Sequence, residues 1–492
     1  MRALLISTYE LGRQPFGLAS PAAWLRAAGW DVACVDTAKD SLRDDSLAAA
    51  DLIGFHLPMH TATRLAAPLV TKARRLNHAA RICAYGLYAP LNETWLRSLG
   101  VDNVLGGEFE ADLTEIARAV AGRKGPPSTI HSDADSAFQP GPLKSARGAS
   151  DVERAGTPAS LGPGATLPRL HFLVPDRTGL PPLSRYATLQ MADGSRRVVG
   201  STEASRGCRH LCRHCPVVPV YSGQFRVVQA DVVLADIDAQ VAAGAEHITF
   251  GDPDFFNGPT HAMRIVEALH AAHPRLSYDV TIKVEHLLQH RDLLARLVGT
   301  GCAFVTSAVE SLDDRVLALL DKGHTRADFV ETVGLCRTAG VTFVPTFVAF
   351  HPWTSLDAYR DLLDTLARLD LVEHVAPIQL AIRLLVPEGS RLLQLEEMRR
   401  RLDTFDPATL TYRWAHEDPA VDALHRDVTA LVGSQLTSDR RAMFEEIRAL
   451  VYDRLALPLP PPTSSASVAS VPFLSEPWYC CAEPNPEDMR LM

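Results

Sequence analysis

Twice along this chain, short apolar runs alternate with longer stretches whose apolar residues recur every three to four positions. That alternation limits the fold more than any single residue. Consecutive strands joined by helices must lie parallel, with both faces of the sheet covered. The first series fills residues 1–120. Leu4–Ser7, Val32–Val35, Leu52–Phe55, Arg81–Ala84 and Asn103–Leu105 read as short buried strands. Between them, Ala62–Leu76 carries Leu65, Leu69 and Ala73 on one stripe. Another helix is expected to start with Ser20 as cap and Pro21 in the first turn, and to stop at Gly29. Five such units predict an α/β domain with a doubly wound, Rossmann- or flavodoxin-like parallel sheet.

The second series falls within 166–395. Helix Asp231–Ala243 precedes strand His247–Phe250, and Met263–Ala271 precedes Tyr278–Lys283. Leu293–Val298 then precedes Ala303–Val309, Phe329–Thr338 precedes Val341–Phe350, and Leu356–Leu369 precedes Ile378–Leu384. Repeats of this kind close into a partial (β/α)6 barrel of the TIM type, with chemistry at the C-terminal strand ends. Residues 121–165 are rich in Gly, Pro, Ser and Ala without hydrophobic period, and are expected to be a disordered linker. Residues 396–456 read as a helical region, with Leu424, Val428 and Leu431 on one face. A Pro/Ser linker and a tail ending in a cysteine pair fill 457–492.

The 492 residues suffice for two to four domains, and 47% hydrophobic with 22% charged residues is ordinary for a soluble protein. A net charge of −9 without a long basic block disfavours nucleic-acid binding. No apolar run reaches the length of a membrane span, and the first residues are too short in apolar length for a signal peptide. Nine cysteines in such a chain suggest a reducing cytoplasm, with thiols used for metal or redox chemistry.

Cys208, Cys212 and Cys215 are separated by three and by two intervening residues, on the loop leaving the first strand of the second series. Three thiolates on one loop can hold three irons of a 4Fe–4S cluster and leave the fourth iron open to a small molecule. Two other readings of the residues stand beside this one. With His210 and His214 inside the loop, a Cys/His zinc site is the first. Three unrelated buried cysteines are the second.

The triad opening a βα barrel resembles the radical S-adenosylmethionine superfamily over roughly residues 168–395. The resemblance implies that Cys208, Cys212 and Cys215 ligate the cluster and that S-adenosylmethionine chelates the open iron. One electron then cleaves it to methionine and a 5′-deoxyadenosyl radical. An electron donor such as flavodoxin or ferredoxin and a small-molecule substrate are implied with it. His214 takes the place of the residue that packs near adenine. Gly251, Asp252 and Asp254 in Phe250-Gly251-Asp252-Pro253-Asp254 resemble the family's second-strand motif that holds the methionine amine. Glu310 and Ser311 resemble its fourth-strand segment, followed by Lys322-Gly323, and would bond the ribose or carboxylate. Lys283, one of only six lysines, and Arg383 are candidate partners of the cofactor carboxylate.

Residues 1–120 resemble the cobalamin-binding-like domain that precedes such barrels. Gly106-Gly107-Glu108-Phe109-Glu110 matches its closing stretch, whereas the Asp-x-His-x-x-Gly signature that ligates cobalt is absent. Cobalamin is therefore a candidate third cofactor. Cys480-Cys481-Ala482-Glu483-Pro484 resembles the tail of the CUAEP/CCAEP-tail radical S-adenosylmethionine family. Cys480 and Cys481 are candidate catalytic thiols, as nucleophile or redox pair, thiophile trap or hydrogen donor. Methylation, other group transfer and hydrogen abstraction all remain open as the outcome. The reading from another class is a non-catalytic zinc- or thiophile-binding protein, with the triad as a structural metal site.

Overall fold

The computed structural model describes residues 1–124, 170–434, 439–463 and 471–476. The first five strands are β1 (Arg2–Ser7), β2 (Asp31–Asp36), β3 (Leu52–His56), β4 (Arg81–Tyr85) and β5 (Asn103–Leu105). They form one parallel sheet in the order β2-β1-β3-β4-β5. The two-residue period sorts its faces. Ala3 and Leu5 join Leu18, Ala22 and Leu113 on one side. Leu4 and Ile6 join Ala66, Val70 and Leu96 on the other.

One helix boundary differs from expectation for a clear reason. The first helix runs Phe16–Ala27, with Pro21 inside it. Pro21 has no N–H for the Gly17 carbonyl one turn earlier. The Tyr85 hydroxyl donates to that carbonyl instead, at 2.9 Å. Ser20 caps nothing, because its hydroxyl donates to Glu110 Oε1 at 2.6 Å. Tertiary partners thus let the helix begin a turn before its local stop signal.

The remaining strands are β6 (Thr188–Gln190), β7 (Arg196–Thr202), β8 (Ser205–Gly207), β9 (Phe225–Val227), β10 (His247–Phe250), β11 (Ser277–Thr281), β12 (Cys302–Glu310), β13 (Phe343–Phe347), β14 (Leu402–Asp406), β15 (Thr411–Trp414) and β16 (Phe473–Leu474). A seven-stranded sheet has the order β13-β12-β11-β10-β7-β6-β16. Its strands from β7 to β13 are parallel, and β6 and β16 add an antiparallel edge. This is the curled half-barrel that the alternation predicts. Its sixth position is reduced. The expected strand Ile378–Leu384 begins as a 3-10 turn at Pro377–Leu380, and a single bridge joins Phe350 to Arg383. The Gln379 side chain accepts from the Phe347 N–H at 3.2 Å, a donor on the free edge of β13 that a full sixth strand would use.

Helices Pro419–Ser434 and Arg440–Arg454 pack Leu424, Val428, Phe444 and Ile447 into the barrel core. Tyr9, Met59 and Tyr88 of the first domain share a cluster with Val316, Val348, Ile382 and Leu384 of the barrel. Arg206 crosses the same seam. It bonds both Glu110 oxygens at 2.7 and 2.9 Å and Glu203 at 2.7 Å. A Cβ on Gly107 would stand 2.2 Å from Tyr221 Oη, so only glycine lets the backbone approach so closely. Near the end of the described chain, β16 pairs with β6 and Glu476 accepts from Tyr9 Oη at 3.1 Å. Among the described residues, no helix is long and apolar enough to cross a membrane.

Candidate active site at the cysteine loop

The loop holding the triad starts at Gly207, whose φ of +76° and the Gln224 carbonyl 2.4 Å from any added Cβ require glycine. Three elements then pin the loop. Cys208 N–H donates to the Gln224 carbonyl, Arg209 N–H to Asn257 Oδ1, and Arg213 N–H to the Leu320 carbonyl, at 3.1, 3.2 and 2.9 Å. Cys208 and Cys212 are buried and Cys215 is half-buried. None is in a disulfide. Burial pushes the Cys208 thiol up to about 11, with the Asp254 and Cys212 charges adding to it. The nearby Lys283 lowers it without offsetting burial, so the protein alone keeps this thiol protonated. Bound iron is the kind of charge that would hold it as thiolate.

Several residues singled out in the sequence surround the triad. Lys283 Nζ lies 3.8 Å from Cys212 Sγ and 3.6 Å from Glu285 Oε2. His214 Nε2 lies 3.0 Å from Glu310 Oε1, and Lys322 Nζ is 3.5 Å from the same oxygen. Glu310 is buried with a φ of +73°, a left-handed conformation costing about 1–3 kcal/mol for a non-glycine residue. Burial alone would raise its pKa. The Lys322 ammonium and the His214 imidazole instead hold it down at about 2. A charged carboxylate is therefore fixed in strained backbone at the C-terminal end of β12, where barrel chemistry resides. Glu310 and Ser311 also border a cavity of about 350 Å³ lined by His351, Trp353, Tyr359 and Arg326.

Other candidates have different tasks here. Asp252 is turned to the base of the loop, accepting from Ala204 N–H at 2.9 Å and from Ser205 Oγ at 2.5 Å, and burial raises its pKa to about 7. Gly251 donates its N–H to the Thr202 carbonyl across β7 and β10. Ser311 Oγ accepts from the N–H of Asp313, the residue whose own side chain caps the helix Asp314–Leu320. Arg383 points away from the triad. It bonds Asp422 and the Trp414 carbonyl at 2.8 and 2.7 Å and stacks on the Trp414 ring, which fastens the C-terminal helices. Cys480 and Cys481 lie outside the described residues.

Sequence reasoning missed His286 and His324 altogether, and considered His210 only as a ligand of a zinc site shared with the cysteines. His324 is buried, and burial with the Lys322 and Lys283 charges pushes its pKa down to about 4, so it stays neutral. The rarity of lysine was the available signal. Two of the six, Lys283 and Lys322, are buried at this one site.

A half-barrel with three cysteines on its first loop, joined to a parallel-sheet domain, defines the class of protein. Comparison with known proteins agrees. Residues 202–366 match the family model described as Radical SAM superfamily. The chain thus carries a radical SAM domain over those residues, and a methyltransferase is among the proteins it resembles. A tRNA-2-methylthio-N(6)-dimethylallyladenosine synthase of Chlorobium phaeobacteroides is 26% identical over 210 residues, covering 39% of this chain and 47% of its own. A bacteriochlorophyllide d C-12(1)-methyltransferase of Chlorobaculum tepidum is 28% identical over 134 residues, covering 26% and 28%. The chain thus spans less than half the length of these curated relatives. Among solved structures, the cobalamin-dependent radical enzyme OxsB, bound to aqua-cobalamin and S-adenosylmethionine, superposes with a TM-score of 0.64. It is 13% identical, and the match covers 92% of this chain and 71% of that one. The methyltransferase TsrM of Kitasatospora setae, bound to tryptophan and a cofactor analogue, gives 0.61 at 17% identity, covering 87% and 88%. These likenesses establish a shared two-domain fold.

Proposed function

We propose that this chain cleaves S-adenosylmethionine reductively, uses the resulting 5′-deoxyadenosyl radical to take a hydrogen atom from a small molecule, and transfers to it a methyl group from a second S-adenosylmethionine or another group. The observation that carries the reading is the triad. Three thiols sit on one pinned loop at the mouth of a half-barrel, beside a buried lysine and a fixed carboxylate. Cys208, Cys212 and Cys215 would hold a 4Fe–4S cluster. When bound, that cluster supplies the electron for cleavage of S-adenosylmethionine at an iron that no cysteine occupies. Lys283 places a cation against the cluster loop and lowers the cost of negative charge there. Glu310, kept ionised by Lys322 and His214, offers a fixed acceptor to hydroxyl or ammonium groups entering from the mouth. The packed seam and the buried Val217, Val220 and Tyr221 around Cys208 exclude water from the reacting volume.

Cobalamin belongs to the same reading. The carboxyl ends of the first sheet, where such folds bind ligands, face the barrel mouth. The two histidines at the end of β3 are engaged. The His56 ring packs against Gly17 with Nδ1 3.3 Å from Glu10, and His60 Nε2 bonds the Thr409 carbonyl. Cobalamin would therefore be held by backbone and apolar contacts, without either imidazole on cobalt. Methyl transfer is the outcome that this cofactor favours. A net charge of −9 without a long basic block favours a small molecule over tRNA.

Two experiments test the reading. Protein purified without oxygen and reconstituted is expected to be brown with about four irons per chain. On reduction it should release 5′-deoxyadenosine. Colourless protein with one zinc at the triad would sink the proposal. Cys480 and Cys481 are assigned to substrate work. Changing both to serine is expected to keep cluster content and cofactor cleavage while abolishing product. Loss of iron in that variant would make the tail a metal ligand instead.

A further inference from the structure

Three polar side chains next to the triad converge on one point. His210 comes from the cysteine loop, Asp254 from the turn after β10, and His286 from the helix Val284–Gln289. One ligand-capable atom of each lies within 4.8 Å of the other two. Asp254 Oδ2 is 2.7 Å from His286 Nδ1 and 3.5 Å from His210 Nε2. Asp254 is wholly buried and His286 nearly so. Yet these same three buried atoms form no hydrogen bond of acceptable geometry.

Buried polar atoms nearly always find a hydrogen bond, and one that does not calls for an explanation such as an absent ion or water. Here three such atoms fail together and at the same place. Groups that serve one another point along a shared N–H and lone-pair axis. Groups that serve a common centre are close, but every direct contact between them is bent. The second pattern is that of ligands around a small cation. We infer that His210, Asp254 and His286 bind one divalent metal ion of the zinc class, separate from any iron on the triad.

The donor set fits that ion. Two imidazoles and one carboxylate suit Zn²⁺ or Fe²⁺ and leave a coordination position for water or a further ligand. The far nitrogen of His210, Nδ1, lies 3.5 Å from Glu285 Oε2. A carboxylate in that place fixes the ring orientation of a metal-bound imidazole. The ion would tie the cysteine loop to β10 and to the helix after β11, so it holds the loop's shape before iron arrives. Asp254, placed by resemblance against the cofactor amine, would serve this ion instead.

The inference rests on geometry and stands or falls apart from the proposed cleavage reaction. Its test uses the full chain with Cys208, Cys212 and Cys215 all changed to alanine, titrated anaerobically with Co²⁺ as the probe. One Co²⁺ per chain with visible ligand-field absorption is expected. Adding His286→Ala should weaken binding by more than the roughly 10- to 100-fold lost when only an outer partner of a ligand is removed. No cobalt in the triple variant, or equal affinity with and without His286, overturns the inference. Should circular dichroism show the triple variant unfolded, zinc is counted in reconstituted wild-type protein and in His286→Gln. One zinc per chain in the first and none in the second, at equal iron, supports the site. Equal zinc in both, or none in either, refutes it.

Discussion

Changing Cys208, Cys212 and Cys215 to alanine should reduce bound iron from about four per chain to about none and bring S-adenosylmethionine cleavage to background. The fold should survive. A buried cysteine packs as a small apolar group, and alanine at each site should cost on the order of 1 kcal/mol. The loop keeps its shape from backbone bonds to Gln224, Asn257 and Leu320, none of which uses a thiol. Iron analysis, the visible spectrum and 5′-deoxyadenosine release are read on one preparation, with a thermal melt as control. Intact cleavage in a folded, iron-depleted variant would remove the triad from the chemistry.

Arg206→Ala should produce the largest loss of stability. The guanidinium is nearly fully buried, grips both oxygens of the wholly buried Glu110, and sits 4.9 Å from the Phe172 ring. Removing one member of a buried ion pair leaves the other as an unpaired charge, at about 3–5 kcal/mol. Burial also pushes Glu108 of the same stretch up to about 7, and the nearest other cation, Arg226, lies 3.7 Å from Glu108. The variant should melt markedly earlier, and limited proteolysis should separate the first domain from the barrel. Pairing Arg206→Met with Glu110→Gln should recover much of the loss, because neither charge then remains. An unchanged melt for Arg206→Ala would show that the seam is held by its apolar cluster alone.

Periodicity exposed much of this architecture. Strands of period two and amphipathic helices place apolar residues where a single reading frame detects them. The half-barrel was legible for that reason, and the triad was legible because three thiols on one loop have few structural uses. The sixth barrel strand was misread because Ile378–Leu384 is apolar enough for a strand, while a side-chain amide from Gln379 takes the bond that would define it. Ser20 and Pro21 advertised a helix start that Tyr85 and Glu110 override from far along the chain. Arg383 looked like a cofactor partner at a strand end, yet Asp422 and Trp414 from a later region claim it. His286 could not be found from sequence, since its importance arises only when β10, β11 and the cysteine loop meet.

The short strand β16 has a consequence for the end of the chain. It returns the polypeptide to the barrel edge, and Glu476 is fastened to Tyr9 only four residues before Cys480. Covalent geometry limits such a leash to roughly 14 Å. Tyr9 belongs to the apolar cluster shared by the first domain and the barrel, so any substrate of the proposed thiol chemistry must come within that reach of the junction.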